Sequence, residues 1–228
     1  MARIEKVSVP DGEFDLHVWG QGPGPGILLV QEIFGVGEYL EAVAEDLVAL
    51  GYVVAAPDVF WRIEPGWSVV HTEEALPKGM SMVSRFDWEK GVEDAAAALE
   101  VLKAMPDVEK VGVLGFCFGG TLTYLLAAKA EVDSLVSFYG SGVPDALGQI
   151  DAIQAPVQFH FGGADPYIPR EKVTEVERAV HGRDGMEIHV QEDGGHAFHN
   201  RKAPMFYQPE PAARAWRLAE EFLARTLA

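Results

Sequence analysis

The chain has 228 residues, 48% of them hydrophobic, and its 18 basic and 35 acidic residues give a formal net charge of −17. This size favours one domain with a substantial core, and the negative charge argues against nucleic acid or an anionic membrane as partner. One cysteine permits no internal disulfide, and we see no signal-like or transmembrane-length apolar run. We therefore expect a single domain over residues 1–228, cytoplasmic, and a monomer or small homo-oligomer.

The N-terminal part of the chain predicts a hairpin and then a strand–helix–strand unit. Alternating polarity on both sides of Asp11-Gly12 is a hairpin signal, and a glycine after an apolar helical face marks a helix end. The predicted elements are the hairpin of Arg3–Val9 and Glu13–Trp19, a buried strand at Ile27–Val30, a helix with its apolar face between Leu40 and Leu50, and a strand at Tyr52–Ala56.

Residues 58–85 show neither strand nor helix periodicity. The stretch carries Trp61 and Trp67 among prolines and glycines. A connection of this length in a compact domain is usually functional. Two interpretations stay open: the tryptophans pack on the surface of the domain, or the stretch forms a partial lid over a pocket.

Strands and helices alternate through the rest of the chain. After a hairpin, this alternation predicts a mostly parallel sheet with helices on both faces. The predicted elements are a helix around Val92–Leu102, a strand at Val111–Leu114, a helix over Thr121–Ala128, strands at Ser134–Tyr139, Pro156–Phe161 and Met186–Gln191, and helices around Val173–Val180 and Ala212–Leu223.

The turn between the strand at 111–114 and the following helix has the pattern G-x-C-x-G-G, with Cys117 at its tip. This is the nucleophile-elbow pattern with cysteine in the serine position, and a helix N-terminus there favours a negatively charged sulfur. The alternatives are a buried structural cysteine or a phosphate-binding turn. The turn does not match the dinucleotide-binding pattern G-x-G-x-x-G, because Cys117 occupies the position of the second glycine. It does not match the phosphate-binding P-loop either, because no lysine follows Gly120.

Two later loops carry the partners that a nucleophile needs. Asp165 follows the strand that ends at Phe161, and His196 follows the last strand. The order nucleophile, acid, histidine is that of α/β-hydrolases. Cys117 would attack a carbonyl, His196 would carry the proton, and Asp165 would orient the imidazole. His199 and Asp193 are the rival histidine and acid, and no spacing indicates a metal site or a cofactor.

Several segments together resemble the dienelactone hydrolase (carboxymethylenebutenolidase) family. They are Gln31-Glu32-Ile33-Phe34-Gly35, Phe86-Asp87, the elbow at 115–120, Gly163-Ala164-Asp165 and Gly195-His196-Ala197-Phe198. The resemblance implies a single α/β-hydrolase domain that uses a Cys-His-Asp triad to open an unsaturated lactone during catechol breakdown. It also implies that Glu32 contacts the resting thiol and that the N–H groups of Ile33 and Phe118 form the oxyanion hole.

The sequence departs from the family where the substrate carboxylate is bound. The family uses one arginine upstream of its Phe-Asp pair and one four residues after the histidine, where this chain has Asn200. Arg85 and Arg201 are the nearest replacements, with Arg62 as a further candidate. The candidate substrate-contacting residues are Arg85, Arg201, Phe34, Trp88 and Phe198.

The expected activity is hydrolysis of a small ester or lactone that has a good, enol-type leaving group. Thiolate leaves more readily than alkoxide, so a cysteine enzyme needs a substrate whose other leaving group departs easily. Two alternatives stay open. One is an esterase, thioesterase or acyltransferase that uses the same triad on a different substrate. The other is a non-catalytic protein that binds a small molecule or senses oxidants through Cys117.

Overall fold

The computed structural model describes residues 2–228, which build one eight-stranded sheet flanked by helices on both faces. The strands are β1 (Arg3–Val9), β2 (Gly12–Trp19), β3 (Gly26–Val30), β4 (Val53–Pro57), β5 (Val111–Phe116), β6 (Ser134–Phe138), β7 (Val157–Gly162) and β8 (Met186–Gln191). The α-helices are α1 (Glu38–Ala49), α2 (Leu76–Arg85), α3 (Trp88–Lys103), α4 (Phe118–Ala127), α5 (Arg170–Val180) and α6 (Pro209–Thr226). Short 3₁₀ helices occupy Glu73–Ala75 and Pro144–Ala152.

The strand order across the sheet is β1-β2-β4-β3-β5-β6-β7-β8. Strand β2 is antiparallel to β1 and β4, whereas the pairs from β4 through β8 are parallel. Parallel strands put their carboxyl ends at one edge of the sheet. The loops after β3, β5, β7 and β8 therefore open on the same edge.

The core lies at the middle of this sheet. Every residue of β3, β4, β5, β6 and β7 is buried, as expected for strands covered by helices on both sides. Strand β1 at one edge is largely exposed and alternates polar with apolar residues. The buried centre holds the ends of the strands rigidly, and it is from these ends that the site is built.

The predicted strands and the α/β-hydrolase fold are confirmed, with small differences in bounds. Strand β7 begins at Val157, because Pro156 has no N–H to give to the ladder. Helix α4 begins at Phe118, directly after the elbow cysteine, and so is longer at its start than the apolar run suggested.

One α-helix was missed by the sequence analysis. Residues 58–85 contain helix α2, although no helical periodicity was seen there. Only Gly79 and Met82 of this helix are buried, and glycine is a poor helix former, so the local signal is weak. Tertiary contact with the loop after β3 compensates for that weakness, because Gly79 lies against Ile33.

No helix within residues 2–228 combines the length and apolar character needed to cross a membrane.

Candidate active site

The elbow between β5 and α4 holds Cys117 in a strained backbone conformation. Its φ of 53° and ψ of −115° are unusual for a residue with a side chain, and such strain costs about 1–3 kcal/mol. A Cβ on Gly115 would lie 2.2 Å from the carbonyl oxygen of Gly119, and one on Gly119 would lie 2.4 Å from that of Val30. Glycine is therefore required at both positions for the strand and helix to meet at this angle.

Cys117, His196 and Asp165 form one hydrogen-bonded chain. The Nε2 atom of His196 lies 3.1 Å from the sulfur of Cys117, and its Nδ1 lies 2.7 Å from Oδ2 of Asp165. The other carboxylate oxygen of Asp165 accepts the backbone N–H groups of Tyr167 and Ile168, at 2.7 and 3.1 Å. The carboxylate is thus fixed by its own loop and fixes the imidazole in turn.

The loops that carry the acid and the histidine are bound to each other. The N–H of Gly163 donates to the carbonyl of Gln191 at 2.7 Å, and that of Ala164 donates to Gly194 at 2.9 Å. The N–H of Gly195 donates to the side-chain oxygen of Gln208 at 2.6 Å. These contacts hold the two loops in register across the ends of β7 and β8.

Two neighbours, Cys117 and Asp165, determine the charge of His196. Burial alone lowers the pKa of His196, but the negative sulfur of Cys117 and the Asp165 carboxylate outweigh burial and hold that pKa well above its ordinary value. His196 therefore carries a proton when Cys117 is a thiolate. This is the arrangement that a cysteine nucleophile uses.

The rival residues lie elsewhere. His199 is buried, contacts the hydroxyl of Tyr39 at 2.8 Å through its Nδ1 and stacks on Phe116. Asp193 is exposed and pairs with Arg214. Neither contacts Cys117, so the geometry separates them from the thiol.

Glu32 belongs to a buried amide–carboxyl–imidazole network. The Nδ2 of Asn200 donates to Oε2 of Glu32 at 2.5 Å and to Nδ1 of His71 at 2.8 Å. Burial raises the pKa of Glu32 to about 7, against the lowering effects of charged His196 and of the Asn200 amide and Tyr139 hydroxyl. The other carboxyl oxygen, Oε1, and the hydroxyl of Tyr139 are both buried, and neither has a hydrogen-bond partner at bonding distance within residues 2–228.

The loop after β3 that carries Glu32 is held by residues from the stretch 58–85. Trp67 donates its indole N–H to the carbonyl of Ile33 at 3.1 Å, and the N–H of Val69 donates to that of Phe34 at 3.0 Å. The loop and turn hydrogen bonds between backbone groups of residues 2–228 include none donated by the N–H of Ile33 or of Phe118.

A pocket of about 210 Å³ opens above the thiol. Leu76 and Met80 of α2 form part of the pocket wall. Trp61 and Trp67, from the same stretch 58–85, pack against the core of the domain. The residues that line the pocket are Glu32, Ile33, Phe34, Leu76, Met80, Cys117, Ser141, Tyr167, His196, Ala197 and Phe206.

The predicted aromatic contacts divide between the pocket and the core. Phe34 lines the pocket. Phe198 is fully buried and packs on Tyr139, and Trp88 packs on Phe118 with ring centroids 5.0 Å apart. The structure therefore brings Phe34 to the substrate cavity and uses Phe198 and Trp88 to support the loops around it.

The predicted carboxylate-binding arginines do not meet at this pocket. Arg85 bonds within its own helix, to the carbonyl of Ser81 and the sulfur of Met82. Arg201 binds Asp46 at 2.6 Å and the carbonyl of Ala42. The expectation that Arg85 and Arg201 converge on a substrate carboxylate is not supported, because both side chains are directed to other partners.

The further arginine candidate is also engaged. Arg62 forms a two-pronged pair with buried Asp94, through contacts of 2.8 Å, and binds Asp11 as well. Its guanidinium lies over Trp61 at 4.3 Å from the ring centroid. It holds the N-terminal hairpin against α3.

Sequence reasoning missed the roles of Asn200 and His71. Asn200 was seen as the residue that stands where an arginine was expected, and nothing in the local sequence pairs it with His71, 129 residues away. Leu76, Met80 and Phe206 of the pocket were missed because they come from α2 and from an irregular segment. Only the three-dimensional arrangement identifies these neighbours.

Within residues 2–228 no group of three or more histidine, cysteine, aspartate or glutamate side chains is arranged to hold a metal ion.

A family model described as "Dienelactone hydrolase family" matches residues 16–227. The chain belongs to the dienelactone hydrolase family. It is 32% identical to the carboxymethylenebutenolidases of Pseudomonas putida and Pseudomonas knackmussii over 220 residues, which covers 92% of this chain and 93% of each relative. This dienelactone hydrolase homologue is accordingly a hydrolase, which argues against a purely binding or sensing role for Cys117.

Solved structures agree on the fold of this family member. A dienelactone hydrolase-like promiscuous phosphotriesterase from metagenomic libraries superposes with a TM-score of 0.82 at 23% identity, covering 100% of this chain and 99% of that one. A dienelactone hydrolase from Anabaena variabilis gives 0.74 at 19% identity, with coverage of 100% and 99%. At these identities the likeness concerns the fold alone.

Proposed function

We propose that the protein hydrolyses carboxylic esters and lactones with enol-type or aryl leaving groups through an acyl-enzyme on Cys117. The observation that carries the proposal is the continuous contact from Cys117 through His196 to Asp165 at the base of the pocket. The relatives named carboxymethylenebutenolidase support a lactone as one form of the substrate.

In the first half-reaction the thiolate attacks the carbonyl carbon, and the oxyanion binds the N–H groups of Ile33 and Phe118. The carbon–oxygen bond to the leaving group then breaks, and imidazolium His196 protonates the departing oxygen. For a lactone, the leaving oxygen stays attached to the acyl group. Asp165 keeps Nδ1 of His196 protonated, so that Nε2 exchanges the proton.

In the second half-reaction water attacks the thioester. His196 takes a proton from the water, and the tetrahedral intermediate expels the sulfur as a thiolate. The carboxylic acid is released, and the His196–Cys117 ion pair is regenerated. Met80 and Tyr167 at the pocket are 57% and 62% exposed, so water has a route to the thioester. This favours hydrolysis over transfer to a second acceptor.

Glu32 has a supporting role in the proposal. A carboxyl group with a pKa of about 7 beside the thiol is neutral or charged depending on its neighbours. Glu32 lines the same pocket as Cys117, so its carboxyl group is a neighbour of the thiol in the proposed mechanism. This accords with the role that the family resemblance implies.

The test is burst kinetics with 4-nitrophenyl acetate. We expect the wild-type protein to release one nitrophenolate per chain rapidly and then to turn over, whereas Cys117→Ala gives no burst. Asp165→Asn is expected to lower kcat by about a thousandfold or more, because the imidazole loses its orienting anion. Asp193→Asn is the matched control and is expected to leave kcat unchanged, since Asp193 is exposed and pairs with Arg214. A burst retained in Cys117→Ala would refute the proposal.

A further inference from the structure

The pocket above Cys117 offers no cation to an anionic substrate. None of its lining residues is lysine or arginine. Its ionisable side chains are Glu32, Cys117, Tyr167 and His196, and the positive charge on His196 is already shared between the sulfur and Asp165. A carboxylate placed here would meet the sulfur of Cys117 and the buried carboxyl group of Glu32.

The arginines nearest by sequence to this region are committed to other partners. Arg201 binds Asp46, and Arg62 binds Asp94 and Asp11. Arg85 donates to the carbonyl of Ser81 in its own helix. Recruiting Arg62 would leave the carboxylate of Asp94, which is 1% exposed, without its partner. Breaking a buried ion pair in this way is strongly unfavourable.

The rest of the pocket wall is apolar and the space is small. Ile33, Phe34, Leu76, Met80 and Phe206 supply most of the surface. About 210 Å³ is below the range of about 300–1,000 Å³ typical of drug-sized ligands. The dimensions suit a short acyl chain or a single ring with little polar decoration.

We propose that this site selects small uncharged esters and enol lactones and discriminates against substrates that carry a carboxylate. The inference rests on the proposed function and adds the charge class of its substrate. A carboxylate in this pocket would lose part of its hydration without gaining a cationic partner, which is expected to appear as a large preference for the uncharged ester.

The experiment compares two esters of the same shape and leaving group. They are 4-nitrophenyl 4-methylpentanoate and 4-nitrophenyl hemisuccinate, which differ by an isopropyl group against a carboxylate. We expect kcat/KM to be about a hundredfold higher for the uncharged ester. Cys117→Ala supplies the background rate, which matters because the hemisuccinate also hydrolyses by internal attack.

Introducing a positive charge at the pocket tests whether the lack of a cation causes the preference for the uncharged ester. Met80→Arg places a cation in the pocket wall and is expected to reduce the preference for the uncharged ester about tenfold. Met80→Gln, of similar length but uncharged, is expected to keep the wild-type preference. A preference that is the same in Met80→Arg and Met80→Gln would overturn the electrostatic account.

The remaining outcomes separate the inference from the proposed function. Equal or better kcat/KM for the hemisuccinate in the wild-type protein would overturn the inference while leaving the cysteine mechanism intact. Failure of both esters to react above the Cys117→Ala background would refute the proposed function and the inference with it.

Discussion

Glu32 is a buried carboxyl group at this site. Its Oε2 accepts a hydrogen bond from Asn200, which also contacts His71. Burial raises its pKa to about 7 from an ordinary 4.5, so the folded protein binds this proton more tightly than the unfolded chain does. The contribution of Glu32 to the free energy of unfolding is therefore fully present below about pH 4.5 and is lost as the pH rises through 7.

Glu32→Gln removes this pH dependence. The amide stays neutral, so the free energy of unfolding of Glu32→Gln relative to wild type is expected to increase by about 3 kcal/mol between pH 4.5 and pH 8. Urea unfolding at pH 4.5, 6 and 8 measures it, with exposed Glu45→Gln as the matched control. A difference between Glu32→Gln and wild type that does not change with pH would contradict the assignment of the shifted proton to Glu32.

The sequence allowed the candidate catalytic residues to be identified, but it did not predict which side chains contact each other across the site. Cys117, Asp165 and His196 could be located because each sits at a strand end in a turn rich in glycine, where a local pattern reveals it. The Asn200–Glu32 contact spans 168 residues and the His71 contact 129, and no local pattern encodes such a pairing. Arg85 and Arg201 do not line the pocket, because nearness in sequence to a motif does not fix which way a long side chain points.

Helix α2 shows how one element can set the geometry of another. It has few buried residues of its own, but its Gly79 lies against Ile33, whose N–H is a proposed oxyanion donor. A Cβ at position 79 would come within 2.9 Å of Cγ1 of Ile33 and 3.0 Å of its carbonyl oxygen. The loop after β3 would have to shift to admit it.

Gly79→Ala is therefore expected to lower kcat while sparing the fold. Alanine is the better helix former, but displacing Ile33 moves an oxyanion donor, and we expect a loss of about tenfold or more in kcat for 4-nitrophenyl acetate. The matched control is Gly148→Ala, because a Cβ there meets no atom within 4 Å. Equal kcat values in the two variants would show that the contact between α2 and Ile33 does not govern the donor.

The elements that sequence analysis found and missed differ in what stabilises them. Strands β3 to β7 are mostly continuous apolar runs, so the sequence itself indicates that they are buried. Helix α2 contains Pro77 in its first turn and a glycine in its interior, and it forms because the surrounding protein supports it. Tertiary support of this kind is invisible to a search for periodicity.

On the scale of the whole molecule, buried neutral histidines act against stability in acid. Burial lowers the pKa of His71 to about 4 and that of His199 to about 3, and it lowers the pKa of His160 well below 6.5. The unfolded chain binds these protons near pH 6.5, whereas the folded protein does not. The contribution of these histidines to the free energy of unfolding is therefore fully present above pH 6.5 and is lost as the pH falls. Glu32 offsets part of this loss, because its own contribution increases as the pH falls.

We expect the free energy of unfolding to fall by about 1–2 kcal/mol per pH unit between pH 6.5 and pH 5. Urea denaturation at several pH values checks this. His71→Gln is expected to weaken the pH dependence of the free energy of unfolding, because one fewer proton is taken up on unfolding. The control His181→Gln, at an exposed position, is expected to show the same pH dependence as wild type. A wild-type slope of zero or of opposite sign would contradict the expectation.

The elbow carries the one cysteine of the sequence, and this has a practical consequence for counting molecules. Any reagent that consumes thiols reports on Cys117 alone, so the moles of thiol titrated per mole of chain equal the fraction of chains with an intact nucleophile. The same arrangement leaves an oxidised Cys117 without a second cysteine in its own chain to form a disulfide and so protect it from further oxidation. A preparation's activity and its free-thiol content should therefore decline together, in proportion, during storage in air.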